Sequence, residues 1–344
     1  MCKGGLLGRM LVLIALLALP SAALAAPGAL RWSGKGFARN NDAIEHVTIR
    51  GTDSAGRAIF LRYSLANAAY RDGSLEITAR VATSAGTIKG KATYKRGHYS
   101  IRSDGFGITA GQNTIRAEGD SLVIHIEISG HVADATLKLR GTPVHVSSRG
   151  KDGLIERDLL SPWGKLDLRA TLRGGKTGTL KATVFAVHEA STCSAHRIYD
   201  RCVQVHTSTP GQTVLVDYIV MPPERGSKPL GFVALRGNGV AFSGAVQGEA
   251  RGDTRRDGKT GYQVPYAVQI DAARGARVAK VQLGATRQLS RKDDLASLPY
   301  LARKAVGLLF KPFTFTLDGT FLGSVAGEAA TLDGKVKWRY AQTR

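Results

Sequence analysis

The sequence lacks the motifs by which the commonest enzyme classes are recognised. Its two GKT tripeptides, 175–177 and 258–260, have no glycine five residues before the Gly-Lys pair, so neither forms a phosphate-binding P-loop. The segment HEAST, 188–192, lacks the second histidine of a zinc metalloprotease helix. No G-x-S-x-G nucleophile elbow occurs. The sequence therefore contains no recognised hydrolase or NTPase site, and we assign no catalytic residue from a motif.

Long apolar runs are absent beyond the first residues of the chain. Residues 1–25 begin with a segment that carries Lys3 and Arg9, continue through LVLIALLALP, and end in the small residues SAALA. This order predicts a signal peptide that is cleaved after Ala25 and that takes Cys2 with it. The rest of the chain has no apolar run of membrane-spanning length. We therefore expect a soluble bacterial protein, exported to the periplasm or secreted.

Cysteine is scarce, with 3 residues in 344. Only Cys193 and Cys202 would remain after cleavage, and a pair of cysteines in an oxidising compartment predicts one disulfide. The alternative is a metal site, because His188, His196 and His206 lie close to both cysteines in the sequence. The tight C-x2-C pairs of structural zinc sites are missing. We expect the disulfide, with no metal and no other cofactor.

Negative charge is scarce relative to positive charge. The chain has 48 Lys and Arg against 27 Asp and Glu, a formal net charge of +21. The basic residues occur singly at alternate positions, as in ATLKLRG (135–141) and GKVKWRYA (334–341), and no block of five or six occurs. This distribution is typical of a solvated basic exterior. An anionic membrane surface is the alternative partner, and nucleic acid is not expected for an exported protein.

Alternation of apolar and polar residues with period two recurs along the chain. LEITARV (75–81) and LVIHIEI (122–128) place every second residue on an apolar face, and turn signals such as YRDGS and RRDGKTG separate such runs. This pattern predicts an all-β chain of two antiparallel β-barrels in tandem. The polar segment SSRGKDG (147–153) sets the expected division into residues 26–150 and 151–344.

One segment near the C-terminus predicts a helix instead. Ser297 is a suitable N-cap, Pro299 is tolerated in a first turn, and Pro312 ends the helix. Its apolar face comprises Leu298, Leu301, Ala302, Ala305, Leu308 and Leu309. We interpret this helix as a plug across the mouth of the second barrel; the alternative is a mobile lid or a membrane-touching segment.

Four residues of the second half are candidates for a ligand pocket: Trp163, His188, Asp217 and Tyr218. An imidazole beside a carboxylate is suited to acid–base chemistry, and Glu189 follows His188 directly. Adjacent residues of a strand point to opposite faces, however, so the two side chains do not share a pocket. His188 is either a pocket residue or a hydrogen-bonded barrel residue.

Three passages resemble the carotenoid hydratase, AttH-like and survival-factor-like group, whose members have tandem lipocalin-like barrels. Residues 56–94 resemble the opening hairpins of the first barrel, residues 161–191 the opening of the second barrel with a strand running into a histidine, and residues 308–341 the closing strands. The resemblance implies that the protein handles long apolar molecules such as isoprenoids, lipids or acyl chains. Of the pocket candidates, only His188 matches a position of that group.

Three functions follow from these expectations. The first is an exported protein that binds a lipid or another long hydrophobic molecule in or between the barrels. The second is a hydratase or isomerase of the same architecture that acts on an isoprenoid or lipid substrate, with His188 as the acid–base group. The third is a basic cell-envelope protein that binds anionic glycolipid.

Overall fold

The computed structural model describes most of the chain from residue 43 onward. The described residues are 43–67, 73–103, 105–151, 153–192, 198–208, 211–296, 300, 304 and 312–343. The predicted signal peptide, residues 1–25, and Cys193 lie outside them. Cys202 is a free, buried thiol, so the predicted disulfide is not confirmed.

Strands dominate the described residues. In chain order they are β1 Ile44–Asp53, β2 Ala58–Ala66, β3 Ser74–Thr83, β4 Gly86–Tyr94, β5 Ser100–Ile101, β6 Gly107–Ala110, β7 Asn113–Glu118, β8 Ser121–Ile128, β9 His131–Lys138, β10 Val144–Gly150 and β11 Gly153–Thr171. They continue with β12 Thr177–Ser191, β13 Arg201–Ser208, β14 Thr213–Val220, β15 Pro229–Gly237, β16 Val240–Arg251, β17 Thr254–Arg256, β18 Gln263–Pro265, β19 Ala267–Arg274, β20 Arg277–Asp293, β21 Phe313–Val325 and β22 Thr331–Gln342. A 3-10 turn, Pro223–Arg225, follows β14.

The first twelve strands form one antiparallel sheet that curls around an apolar core. Its order is β4-β3-β2-β1-β12-β11-β9-β8-β7-β6-β5, and β10 pairs with β11. The alternating residues of β3 and β8 face inward, as the sequence predicts. The curl brings β4 against the end of β8, where a Cβ on Gly90 would lie 2.5 Å from Ile128 Cγ2. The sheet is a half-barrel rather than the closed barrel that was expected.

The predicted division near residue 150 falls inside this first sheet. Residues 147–150 are the end of β10, and Gly150 pairs with Gly153 at the start of β11, so the segment lies at the turn end of the β10–β11 hairpin. β11 then pairs with β9, and β12 pairs with β1, so both complete the first sheet. The pairing changes to the second sheet only between Ser191 and Arg201. A polar, glycine-containing hairpin turn has the same composition as a linker, which explains the difference.

The second half forms a closed eight-stranded barrel, as the sequence predicts. Its order is β13-β14-β15-β16-β19-β20-β21-β22, and β22 closes onto β13. Large side chains fill the interior, including the fully buried Phe242, Phe315 and Trp338. The short hairpin β17–β18 lies between β16 and β19 in sequence. The barrel therefore has a packed core rather than an open channel.

The half-barrel and the barrel pack face to face through a second, smaller apolar core. It joins Val144, Leu159, Phe185 and Val187 of the first sheet to Leu215, Phe232 and Ala234 of the barrel. Strand β14 is consequently buried along its whole length, because one face lines the barrel and the other meets the first sheet. We call this contact the sheet–barrel interface.

The segment that joins β20 to β21 includes the predicted helix. Leu298, Leu301, Ala305 and Leu308 lie outside the described residues, and only Tyr300 and Lys304 of that helix are described, both with helical backbone. The helix and its role as plug or lid therefore stay predictions. No helix among the described residues is long and apolar enough to cross a membrane.

We predict that shortening Leu215 destabilises the protein far more than shortening an exposed leucine. Leu215 is 0% exposed at the sheet–barrel interface, whereas Leu322 is 42% exposed. Leu215→Ala should lower the free energy of unfolding by about 2–5 kcal/mol, because it removes transfer free energy and leaves a cavity. Urea denaturation measures both variants, and Leu322→Ala is the matched control. Equal losses for the two variants would contradict the assignment of Leu215 to a packed interface.

Candidate functional site

A cluster of charged side chains lies in the sheet–barrel interface, beside its apolar core. His46 of β1 and Arg157 of β11 each stand directly opposite Glu189 of β12. Residues opposite each other on neighbouring strands project from the same face, so these three side chains point toward the barrel together. On β14, Val216 and Tyr218 face the barrel interior, so Asp217 points outward toward them.

Arg157 links the half-barrel to the barrel. Its Nε donates to Glu189 Oε1 at 2.6 Å, and its Nη2 donates to Asp217 Oδ2 at 2.7 Å. Gln204 Nε2 also donates to Asp217 Oδ1, at 3.3 Å. Arg157 is 3% exposed and Asp217 is 4% exposed. A guanidinium can be buried this deeply because two carboxylates compensate its charge and accept its hydrogen bonds.

His46 occupies the other side of Glu189. Its Nε2 contacts the Glu189 carboxylate, and the Arg62 guanidinium lies 2.8 Å from the same nitrogen. His46 Nδ1 is buried and has no hydrogen-bond partner among the described residues. A guanidinium only donates, so Nε2 cannot accept from Arg62 and donate to Glu189 at once. In the tautomer in which Nε2 donates to Glu189, Nδ1 carries the free lone pair and the Arg62 contact is not a hydrogen bond.

The shared guanidinium gives the two carboxylates different proton affinities. Burial opposes ionisation of Glu189, but Arg157 and His46 hold its pKa well below the ordinary value. Burial raises the pKa of Asp217 despite Arg157, and the negative charge of Glu189 raises it further. Burial lowers the pKa of His46, and the cation of Arg62 adds to this effect. At neutral pH the cluster therefore pairs an ionised Glu189 with a neutral His46.

A cavity of about 190 Å³ adjoins the cluster. Its polar walls include His46, Arg62, Arg157, Glu189, Gln204 and Arg339, and its apolar walls include Ile44, Ile155, Ile198 and Ile219. Cys202 also lines it, but burial raises the pKa of this thiol to about 12. A thiol in that state is not a nucleophile at neutral pH. The cavity thus combines an apolar surface with ionisable groups at one end.

His188 belongs to a separate cluster on the inner face of the half-barrel. Its Nδ1 lies 3.0 Å from Asp158 Oδ2, and its Nε2 lies 2.9 Å from Glu45 Oε1. His145 Nδ1 lies 2.6 Å from the other oxygen of Asp158. Burial would lower the pKa of His188, but its bonds to Asp158 and Glu45 raise it to about 9. His188 is therefore a charged residue with both ring nitrogens occupied, and neither is left for a substrate.

The structure places the four candidate pocket residues in four separate settings and not in a common pocket. Trp163 is half-buried against the apolar core of the sheet–barrel interface. Tyr218 lies at one end of the barrel, where its hydroxyl accepts a hydrogen bond from Ala250 N at 3.0 Å. His188 lies in its own cluster, as described above. Of the four, only Asp217 belongs to the charged cluster at the interface.

The sequence offered signals for two of the cluster residues, Glu189 and Asp217. Glu189 directly follows His188 in a strand, so alternation predicts that the two side chains project from opposite faces of the sheet. Asp217 lies in TVLVDYIV, an apolar run typical of a strand buried on both faces. His46, Arg62 and Arg157 resemble the many other polar residues at alternate strand positions. Only the pairing of distant strands distinguishes them.

Of the histidines and cysteines considered for a metal site, the described ones, His188, Cys202 and His206, do not come together. Cys193 and His196 lie outside the described residues. Cys202 packs among apolar residues of the interface, and His206 contacts Phe185 with ring centroids 4.8 Å apart. Within the described ranges, no group of three or more His, Cys, Asp or Glu side chains is placed to hold a metal ion.

Comparison with known proteins identifies the fold. No family model matches the chain, and no curated protein matches it in sequence. A structure of CghA with Sch210972 aligns with a TM-score of 0.50 and 10% identity over 88% of this chain and 88% of that chain. Kievitone hydratase from Nectria haematococca aligns with a TM-score of 0.46 and 12% identity, over 91% and 93% respectively.

A protein from Nitrosomonas europaea assigned as an AttH aligns with a TM-score of 0.49 and 12% identity, over 90% of this chain and 96% of that chain. The alignment with CghA, at a TM-score of 0.50, shows that this chain shares its fold, and the predicted resemblance is confirmed at the level of the fold.

We predict that His188 stabilises the protein below neutral pH and that this contribution disappears in alkali. Its pKa is about 9 in the folded protein, against the ordinary histidine value of 6.5, which applies to the unfolded chain. Because the folded value is raised, the stabilisation is complete below the unfolded pKa and is lost as the pH rises through 9. The full contribution is roughly 3 kcal/mol.

Urea denaturation of the wild type and of His188→Gln at several pH values measures this contribution. The difference in unfolding free energy between them should shrink from about pH 6 to about pH 9.5. A difference that stays constant over this interval would show that His188 is not held as a cation.

Proposed function

We propose that the chain binds a hydrophobic small molecule at the sheet–barrel interface and transfers a proton on it, as hydratases and isomerases do. One observation carries the proposal: a neutral His46, in contact with an ionised Glu189, lines a cavity that also has an apolar wall of isoleucines. A general base needs a free lone pair and a group that orients its ring. His46 Nδ1 supplies the lone pair, and Glu189 orients the ring.

The groups around the cavity have separate roles in such a reaction. His46 Nδ1 accepts a proton from water or from the bound molecule, and Glu189 stabilises the imidazolium that forms. Arg157 Nη1 is buried and has no hydrogen-bond partner among the described residues. A small movement would let it donate to a developing negative charge on an oxygen of the substrate. His46 thus takes the acid–base role that the sequence resemblance suggested for His188.

The size of the cavity constrains the ligand. A volume of about 190 Å³ is below the roughly 300–1,000 Å³ typical of a pocket that encloses a drug-sized molecule. Only the reacting part of the ligand therefore fits beside His46, and the remainder extends along the interface. CghA, which shares the fold, has been solved with Sch210972, and this supports a small-molecule ligand.

A carrier without chemistry is the second candidate, and the end of the barrel favours it. A cavity of about 360 Å³ lies there, within the size range of a ligand pocket. Its apolar walls are Val203, Tyr218, Val220, Val268 and Tyr340. The flanking residues of segment 297–311 lie at the same end, because Asp293 and Gln342 both pair with Phe313.

The expectations on location and partners complete the proposal. Export to the periplasm depends on residues 1–25 and stays a prediction. The same holds for attraction to an anionic membrane surface and for the absence of nucleic-acid binding.

We predict that His46→Gln separates binding from chemistry. Organic extraction of the purified protein followed by mass spectrometry identifies the retained molecule. That molecule is then incubated with protein in deuterated water, and its deuterium content is measured over time. His46→Gln should retain the molecule but incorporate deuterium about 100-fold more slowly or worse, because a general base contributes about 10²–10⁴ to the rate.

His125→Gln is the matched control, since His125 forms a similar pair with Asp134 at 2.7 Å on an exposed surface. It should behave as the wild type. Deuterium incorporation by His46→Gln at the wild-type rate would contradict a role for His46. A retained molecule that exchanges no deuterium even with the wild type would establish the carrier instead.

A further inference from the structure

A second space between the half-barrel and the barrel has only positively charged groups among its charged lining residues. This cleft has a volume of about 1,090 Å³. Strands β1 to β4 and β12 form one wall, and β13, β20, β21 and β22 form the other. We call it the basic cleft. Its charged lining residues are Arg50, Arg80, Lys89, Lys91, Lys292 and Arg339, and no carboxylate is among its described lining residues.

Most of these cations have no carboxylate partner elsewhere. Lys91 pairs with Glu76 at 3.1 Å, and Lys292 pairs with Asp294 at 3.4 Å. The other four, Arg50, Arg80, Lys89 and Arg339, form no ion pair with the described residues.

The positively charged groups at the centre of the basic cleft repel one another electrostatically. Burial lowers the pKa of Arg50, and the cation of Arg339 lowers it further. His206 lines the same cleft, and its Nδ1 lies 3.1 Å from Arg50 Nη1, which donates to it. Burial lowers the pKa of His206 to about 3, and Arg50 and Arg339 contribute to this. A positive potential is therefore concentrated between low-dielectric walls, where it attracts anions most strongly.

Hydroxyl groups lie among the cations. Those of Thr52, Thr78, Ser208 and Thr314 already donate within the protein, and Ser290 and Thr316 also line the basic cleft. The two guanidiniums suit an anion that has several oxygens and more than one charge, because arginine donates two parallel hydrogen bonds to such groups. A carboxylate, with two oxygens and a single charge, would leave part of these guanidinium donors unused.

We propose that the basic cleft binds the phosphate or diphosphate group of an anionic ligand. Arg50 and Arg339 hold the group from opposite walls, and its charge relieves the repulsion between them. The cleft is larger than one ion requires, so the ligand carries a further moiety. The basic cleft shares only Arg339 with the cavity beside His46. Phosphate binding there can be tested whether or not His46 transfers protons.

Isothermal titration calorimetry of the full protein with inorganic pyrophosphate tests the proposal. Arg50→Gln and Arg339→Gln should each weaken binding roughly tenfold or more, since each removes a charge-assisted hydrogen bond to the anion. Arg274→Gln is the matched control, because Arg274 is exposed and lies outside the basic cleft. It should bind as the wild type. Circular dichroism confirms that the variants are folded.

A second arm identifies the source of the phosphate. The same proteins are sedimented with phosphatidylcholine vesicles, with and without phosphatidic acid. If pyrophosphate competes with vesicle binding in the wild type, the phosphate belongs to a lipid head group. If the wild type binds pyrophosphate but not the vesicles, the phosphate belongs to a free phosphorylated molecule. Both results support the proposal. No pyrophosphate binding, or equal weakening by Arg274→Gln, would overturn it, since the net charge of the chain would then account for any attraction.

Discussion

The hydrogen-bonded ion pair between Arg157 and Asp217 is the interaction on which the arrangement of the two halves depends. It joins β11 of the half-barrel to β14 of the barrel in a region where both side chains are almost fully buried. Burying a guanidinium is costly unless carboxylates surround it, and Glu189 and Asp217 together meet that need from opposite sides of the interface. The apolar core around Leu215 and Phe232 contributes the buried apolar surface that stabilises the contact. The ion pair determines the position in which the two surfaces meet.

The same interaction determines the chemistry of the neighbouring cavity. Two carboxylates that share one guanidinium do not titrate alike, and the pKa of Glu189 is lowered while that of Asp217 is raised. The ionised Glu189 then contacts a His46 that burial keeps neutral. The His46–Glu189 pair belongs to the half-barrel, and the barrel packs against it, closes the apolar space with Ile219 and brings Asp217 to Arg157.

The sequence predicted the class of the fold because a strand with one buried face must alternate. The alternating residues of LEITARV and LVIHIEI do face the core. The division between the two sheets was less predictable, since a polar hairpin turn after β10 has the same composition as a linker. The site was predictable only in part. Alternation shows that His188 and Glu189 face opposite ways, and a carboxylate within TVLVDYIV must be buried.

What the sequence does not reveal is which polar residue meets which across distant strands. His46 and Glu189 are 143 residues apart, and Arg157 and Asp217 are 60 residues apart. Their contacts follow from the pairing of β1 with β12 and from the packing of β11 against β14, which no local pattern encodes. His188 illustrates the opposite case: its position beside a glutamate suggests chemistry, yet both its nitrogens are occupied by carboxylates.

A double-mutant cycle on Arg157 and Asp217 tests the central claim most directly. The free energy of unfolding is measured for the wild type, Arg157→Met, Asp217→Leu and the double variant. If the pair joins the two halves, each single variant leaves a buried charge without its partner, and the double variant loses less than the sum. We expect a coupling energy of about 1–3 kcal/mol. Losses that add to within about 0.5 kcal/mol would show that the two residues stabilise the protein independently.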